Sequence, residues 1–108
     1  MNWIALNDLA QLAAISELSA TKPQVIFKHS RTCSISGMAL ARLERSKEPQ
    51  GADFYLLDLL TYRPVSNAVA EKFQVHHESP QVLVIKNGEC VYDESHYAII
   101  MDEIAEQL

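Results

Sequence analysis

The stretch Val25-Ile-Phe-Lys-His-Ser-Arg-Thr-Cys-Ser-Ile-Ser-Gly-Met38 decides how the rest of the chain is read. Its β-branched and aromatic run, Val25 to Phe27, predicts a strand over Gln24 to Lys28. The run is apolar on both faces, which suits a strand covered by helices on either side. It stops at the polar segment Lys28 to Thr32. From Cys33 to about Lys47, Ile35, Ala39 and Leu43 recur at four-residue spacing and predict a helix. Met38 lies beside that stripe and reads as core. A cysteine heading a helix that follows a buried strand is well placed for reactivity. The unpaired N–H groups of the first turn point at the sulfur and favour the thiolate.

Working outward, Pro23 restricts the approach to the strand, and Ser19 to Lys22 reads as loop. Before it, Leu9, Leu12, Ala13 and Ile15 form the apolar face of a helix running to about Leu18. Asn7 or Asp8 caps it, with Gln11 completing a capping box after Asp8. Trp3 to Leu6 is a short extended lead-in. After the cysteine helix, Lys47 to Gly51 carries breaker residues. Phe54 to Leu59 is a second strand, with Tyr55 and Leu57 on one face and Phe54 and Leu56 on the other. Arg63-Pro64 opens a helix with Val65, Val69 and Phe73 on one side. Then the pattern changes. Val82 to Ile85 and Glu89 to Asp93 flank Asn87-Gly88, a strong hairpin turn. Strict alternation places Cys90 and Tyr92 on one face. Ile100, Ile104 and Leu108 suggest a final helix, and Asp102 and Glu103 suit its positive end.

A chain of 108 residues reads as one domain spanning all of it. A net charge of −5 without a basic run argues against a nucleic-acid partner. No apolar stretch approaches a membrane span, and the start lacks the features of a signal peptide, so a cytoplasmic protein without a membrane partner is expected. Two cysteines make no disulfide framework and point to free thiols. No Cys, His and Asp cluster has metal-ligand spacing, so no metal is expected. His76-His77 reads as a solvated pair in a loop.

The order helix, strand, helix, strand, helix, then hairpin and helix, describes an α/β domain with a parallel half joined to an antiparallel one. With a cysteine at the first strand–helix junction, this is the layout of the thioredoxin fold. The expected core is a central four-stranded mixed sheet flanked by helices. That fold carries a proline before its third strand, against the reactive sulfur, in a cis peptide bond. Glu78-Ser-Pro-Gln81 supplies it, so Ser79-Pro80 is expected to be cis.

The resemblance goes further. Phe27-Lys-His-Ser-Arg-Thr-Cys-Ser-Ile-Ser36 resembles the active-site signature of the YtxJ-like monothiol bacilliredoxins. Tyr62 to Asn67, His77 to Val82, Ile85 to Gly88 and Ser95-His96 resemble segments of that family in the same order. The resemblance implies a cytoplasmic oxidoreductase that removes bacillithiol, or a similar small thiol, from mixed disulfides of client proteins. No tightly bound cofactor is implied; the low-molecular-weight thiol is a co-substrate. Cys33 then corresponds to the attacking thiol, Pro80 to the cis-proline, and Ser36 to the second cysteine of a dithiol thioredoxin. Ser34 departs from the proline usual in the family.

Around Cys33, thiolate-stabilising or thiol-binding roles fall to Arg31, Thr32, Ser34, Ser36, Ser79 and Pro80. Lys28, His29 and Arg31 could raise the local positive potential and attract an anionic thiol, or form a solvated turn with Lys28 still on the strand. Thr32 and Ser36 could donate to the sulfur or satisfy the helix start. Asp58 is either a partly buried acid below the site or a strand-end carboxylate. Cys90, two strands from the first in this fold, reads as a structural thiol or a remote resolving one. His96 reads as a cap or packing residue. Two other functions compete: a non-catalytic thioredoxin-like adaptor, and an iron–sulfur carrier, the latter weakened because Cys33-Ser-Ile-Ser36 lacks the glycine of Cys-Gly-Phe-Ser.

Overall fold

The computed structural model describes residues 1–108. The elements are β1 (Ile4–Ala5), α1 (Ala10–Leu18), β2 (Gln24–His29), α2 (Ser34–Arg45), β3 (Asp53–Asp58), α3 (Arg63–Phe73), β4 (Gln81–Lys86), β5 (Glu89–Ser95), a 3-10 turn (His96–Ala98) and α4 (Met101–Glu106). The sheet order is β1-β3-β2-β4-β5. β2 and β3 run parallel, while β4 is antiparallel to both β2 and β5. The lead-in adds a fifth strand to the four expected: Ile4 and Ala5 pair with Tyr55 and Leu56 on the outer edge of β3.

Side-chain alternation splits the core into two layers, one on each side of the sheet. Ile26, Tyr55, Leu57, Leu83 and Ile85 face Leu12 and Ile15 of α1 and Val65, Val69 and Phe73 of α3. Val25, Phe27, Phe54, Val82 and Val84 face Ala39 and Leu43 of α2 and Ile104 of α4. The central strand β2 is covered on both faces, as its continuous apolar run requires.

Local chemistry sets the ends of the elements. The Gln11 half of the capping box forms, its Oε1 accepting the Asp8 N–H at 3.0 Å, while the Asp8 carboxylate accepts the Ala10 N–H at 2.9 Å, two residues on and not three. Asn87 and Gly88 take φ values of 53° and 77°, the left-handed pair that a tight hairpin needs. Met38 is 53% exposed, not core: it lies on the outer side of α2, whose buried stripe is Ser36, Ala39 and Leu43.

A further difference concerns Cys90. Ile85 pairs with Cys90 but Val84 pairs with Tyr92, so Val91 is an extra residue in β5. Such a bulge breaks the two-residue alternation. Cys90 therefore packs on the α1/α3 layer and Tyr92 on the α2/α4 layer, opposite faces where unbroken alternation predicts one.

Candidate active site

The site lies at the carboxyl end of β2. Cys33 is the N-cap of α2, with extended backbone (φ −104°, ψ 122°). Its N–H donates to the Ser30 carbonyl at 3.1 Å, and its own carbonyl accepts the Gly37 N–H at 3.0 Å. The turn over Ser30 to Cys33 thus hands the chain directly into the helix. Cys33 is a free, partly exposed thiol. The N–H groups of Ser34 to Ser36 have no intrahelical acceptor and mark the positive end of the helix dipole beside the sulfur.

Ser36 is fully buried. Its Oγ accepts the Ser30 N–H at 2.9 Å and lies 2.7 Å from His29 Nδ1. The assignment that satisfies both contacts sends the Ser36 proton to Nδ1 and leaves the imidazole proton on Nε2. Burial depresses the His29 pKa against the upward pull of Asp58 and Glu44, which suits a neutral acceptor. His29 also stacks on Phe27, with centroids 6.0 Å apart. The Ser36 hydroxyl is therefore committed to tying the turn to the helix, not to donating to the sulfur. Of the expected polar neighbours, Thr32 and Ser34 are exposed on either side of Cys33.

Arg31 turns sideways. Its Nε donates to Asp58 Oδ2 at 3.2 Å and Nη2 to Thr61 Oγ1 at 3.3 Å. Asp58 is a strand-end carboxylate that also accepts from the Leu60 and Thr61 N–H groups and the Thr61 hydroxyl. Desolvation raises its pKa, but the Thr61 and Leu60 hydrogen bonds and the Arg31 charge outweigh it and hold the carboxyl below its ordinary value. Lys28, expected on the strand and offered as a source of positive potential for the thiol, is fully buried on β2. Even numbering puts Lys28 on the α1/α3 layer with Ile26, away from α2.

The loop from 76 to 80 lies at the same end of the sheet as Cys33, since it leads into β4, whose first residue pairs with Lys28 near the end of β2. Ser79-Pro80 is cis, as expected, and Pro80 is buried. The Ser79 hydroxyl is buried and makes no hydrogen bond within the protein. Gln81, which sequence reasoning passed over, closes this loop by donating to the His76 carbonyl at 2.9 Å. His96 braces it from the other side. Its N–H donates to the Pro80 carbonyl at 3.1 Å, and its Nε2 lies 3.7 Å from Glu78 Oε1. The Arg42 guanidinium donates to the His96 and Ile99 carbonyls from α2. His96 takes a left-handed φ of 57° to make these contacts. Its role is thus bracing the Pro80 loop, more specific than the packing role expected. His77 also departs from expectation: it turns inward to Lys28.

Cys90 lies on the edge strand, two strands from β2, and its thiol donates to the Tyr92 carbonyl at 3.3 Å. Burial pushes its pKa up, with Asp93 adding to the rise and hydrogen bonds to the Tyr92 and Val84 backbone opposing it. No helix is long and apolar enough to cross a membrane.

A family model described as monothiol bacilliredoxin BrxC matches residues 4–104. Among solved structures, one provisionally described as an oxidoreductase with a thioredoxin fold is 32% identical, with a TM-score of 0.83; the alignment covers 95% of this chain and 90% of that one. A thioredoxin from Fasciola hepatica is 19% identical, covering 95% and 96% of the two chains at a TM-score of 0.74. Thioredoxin O2 from Arabidopsis thaliana, in its oxidised state, is 19% identical, covering 98% and 93% at 0.72. These two share the fold. The family match spans the strand, the cysteine-headed helix and the Pro80 loop together. The chain therefore belongs to the monothiol bacilliredoxin family and is a monothiol thiol–disulfide oxidoreductase with a thioredoxin-like α/β fold.

Proposed function

We propose that Cys33 is the nucleophile, that the protein frees S-thiolated client proteins in the cytoplasm, and that the small thiol removed is bacillithiol. The observation that carries this reading is the placement of Cys33 at the N-cap of α2, with serine where a resolving cysteine would stand. The Cys33 thiolate attacks the small-thiol sulfur of the mixed disulfide. The client sulfur leaves with the bonding electron pair and takes a proton from water. Cys33 then carries the small thiol as its own mixed disulfide. A second small thiol attacks that adduct as thiolate, forming the small-molecule disulfide and restoring Cys33. With Ser36 at the other end of the Cys-x-x-Ser motif, no local intramolecular disulfide can perform the release. Ser79 and Pro80 form the shelf against which the incoming disulfide rests, while Thr32 and Ser34 line the exposed side. Arg31, held by Asp58, contributes a fixed positive charge near the sulfur.

The test uses the Cys90→Ala protein and a client capped with bacillithiol, followed by intact-mass spectrometry. The adduct mass moves from client to enzyme, and Cys33→Ser abolishes the transfer. Unchanged client release by Cys33→Ser assigns the chemistry elsewhere. Faster release from a glutathione-capped client than from the bacillithiol-capped one would replace bacillithiol as the substrate.

A further inference from the structure

Lys28 is a lysine in an unusual place. It sits in the middle of the sheet, 0% exposed, and its side chain is among the largest fully buried ones in the protein. Its Nζ donates to the Ser66 carbonyl on α3 and to His77 Nδ1, both at 3.1 Å. None of the ion pairs in the protein involves it. The charged and titratable groups acting on its partner His77 are Lys28 itself, Arg63 of α3, and Glu78 and His76 of the loop. Ser66 is also fully buried, and its hydroxyl has no partner. A buried amine without a counter-charge is costly, and the fold retains it.

What Lys28 touches explains its position. Its backbone is in register with Gln81, the residue after Pro80. Its side chain reaches His77, three residues before Pro80. One residue of β2 therefore grips the Pro80 loop on both flanks. The neighbouring residue His29 performs the corresponding task on the other face, fastening the Cys33 turn through Ser36. Consecutive residues of β2 thus hold the two halves of the site, one on each side of the sheet.

We propose that Lys28 is a positioning residue for thiol exchange, holding the 76–80 loop in place through His77 so that a mixed disulfide is presented to Cys33. This rests on the reading of Cys33 as the nucleophile. Lys28 touches no reacting atom. Burial brings its pKa down to about 8, and His77 is held below its ordinary value by burial and by the Lys28 and Arg63 charges. The grip accordingly carries one proton at neutral pH and loses it in mild alkali.

The test compares wild type with Lys28→Met by three readouts: amide hydrogen exchange over residues 76–81, the NMR titration of the His77 ring, and bacillithiol transfer as a function of pH. In Lys28→Met the loop amides exchange roughly tenfold faster. The His77 titration moves upward because a neighbouring positive charge has gone. Transfer slows several-fold and loses its inflection near the Lys28 pKa, while alkylation of Cys33 by iodoacetamide keeps its rate. Lys28→Gln, which retains a donor, recovers part of the loop protection. Wild-type loop exchange and an unmoved His77 titration in Lys28→Met overturn the proposal. If Lys28→Met does not fold, His77→Phe removes the acceptor from the partly exposed side, and unchanged loop exchange in that variant overturns it equally. If wild type transfers no small thiol, the reading of Cys33 fails, and the two NMR readouts alone decide whether Lys28 holds the loop.

Discussion

Replacing Lys28 by methionine removes a buried charge at nearly constant side-chain volume. The consequence for stability follows from linkage. The Lys28 pKa falls from its ordinary 10.5 to about 8 on folding because burial disfavours the ammonium. Between those values the unfolded chain binds more protons than the folded one, so stability rises with pH across that interval. The gap between 10.5 and about 8 is worth about 3 kcal/mol at ~1.36 kcal/mol per unit. Integrating the two titrations, about 2 kcal/mol of this is recovered between roughly pH 7 and pH 9.5. Other groups pull the opposite way in alkali: burial raises Cys90, Tyr55 and Tyr92. They are common to both proteins, so the quantity to measure is the wild-type minus Lys28→Met difference at each pH. Urea unfolding followed by Trp3 fluorescence supplies it, since Trp3 stacks on Phe27 and meets Phe54 edge-on. Wild type should gain about 2 kcal/mol on the variant over that range. Parallel stability curves would show that Lys28 titrates near its solution value and refute the burial argument.

The remaining predictions concern single contacts. Ser36→Ala leaves the Ser30 N–H buried without its acceptor and should cost about 1–3 kcal/mol in urea unfolding. Arg31→Ala breaks an ion pair whose arginine side chain is 57% exposed and should cost under about 1 kcal/mol. The Asp58 carboxyl, held down by its Thr61, Leu60 and Arg31 partners, contributes stability above the unfolded carboxylate pKa that is lost as pH falls through its folded value; an Asp58→Asn variant should lack that acid-limb component. At neutral pH, iodoacetamide followed by peptide mapping should label Cys33 well before Cys90, whose thiol burial disfavours ionisation. Gly88→Ala should destabilise the hairpin by about 1 kcal/mol, because φ of 77° is strained for any residue with a Cβ.

These contacts show how the fold divides the work. The sheet positions two loops over one end, and consecutive residues of its central strand fasten one loop each. The partly exposed thiol then sits at a helix start that favours negative charge, at the same end of the sheet as the Pro80 loop braced by Gln81 and His96. A site assembled in this way depends on buried polar contacts, which hold geometry well but are costly when half satisfied.

Much of this was legible in the chain itself. The apolar run at Val25 to Phe27, the four-residue spacing from Ile35 to Leu43 and the Asn87-Gly88 turn each depend on local periodicity or backbone freedom, which residue type dictates directly. Cys33 at the strand–helix junction followed from the same patterns, and the expectation that Ser79-Pro80 is cis followed from the fold that they describe. The tertiary structure alone decided where the polar side chains point. Lys28 was legible as the last residue of the strand, but not its full burial under α3 or its partners Ser66 and His77. Ser36 looked free to meet the sulfur, yet the Ser30 N–H and His29 claim it. One extra residue, Val91, moved Cys90 to the opposite face from Tyr92. The physical reason is common to all three: periodicity encodes which face of an element a residue occupies, whereas hydrogen-bond partners come from segments far apart in the chain and are set only when the sheet brings them together.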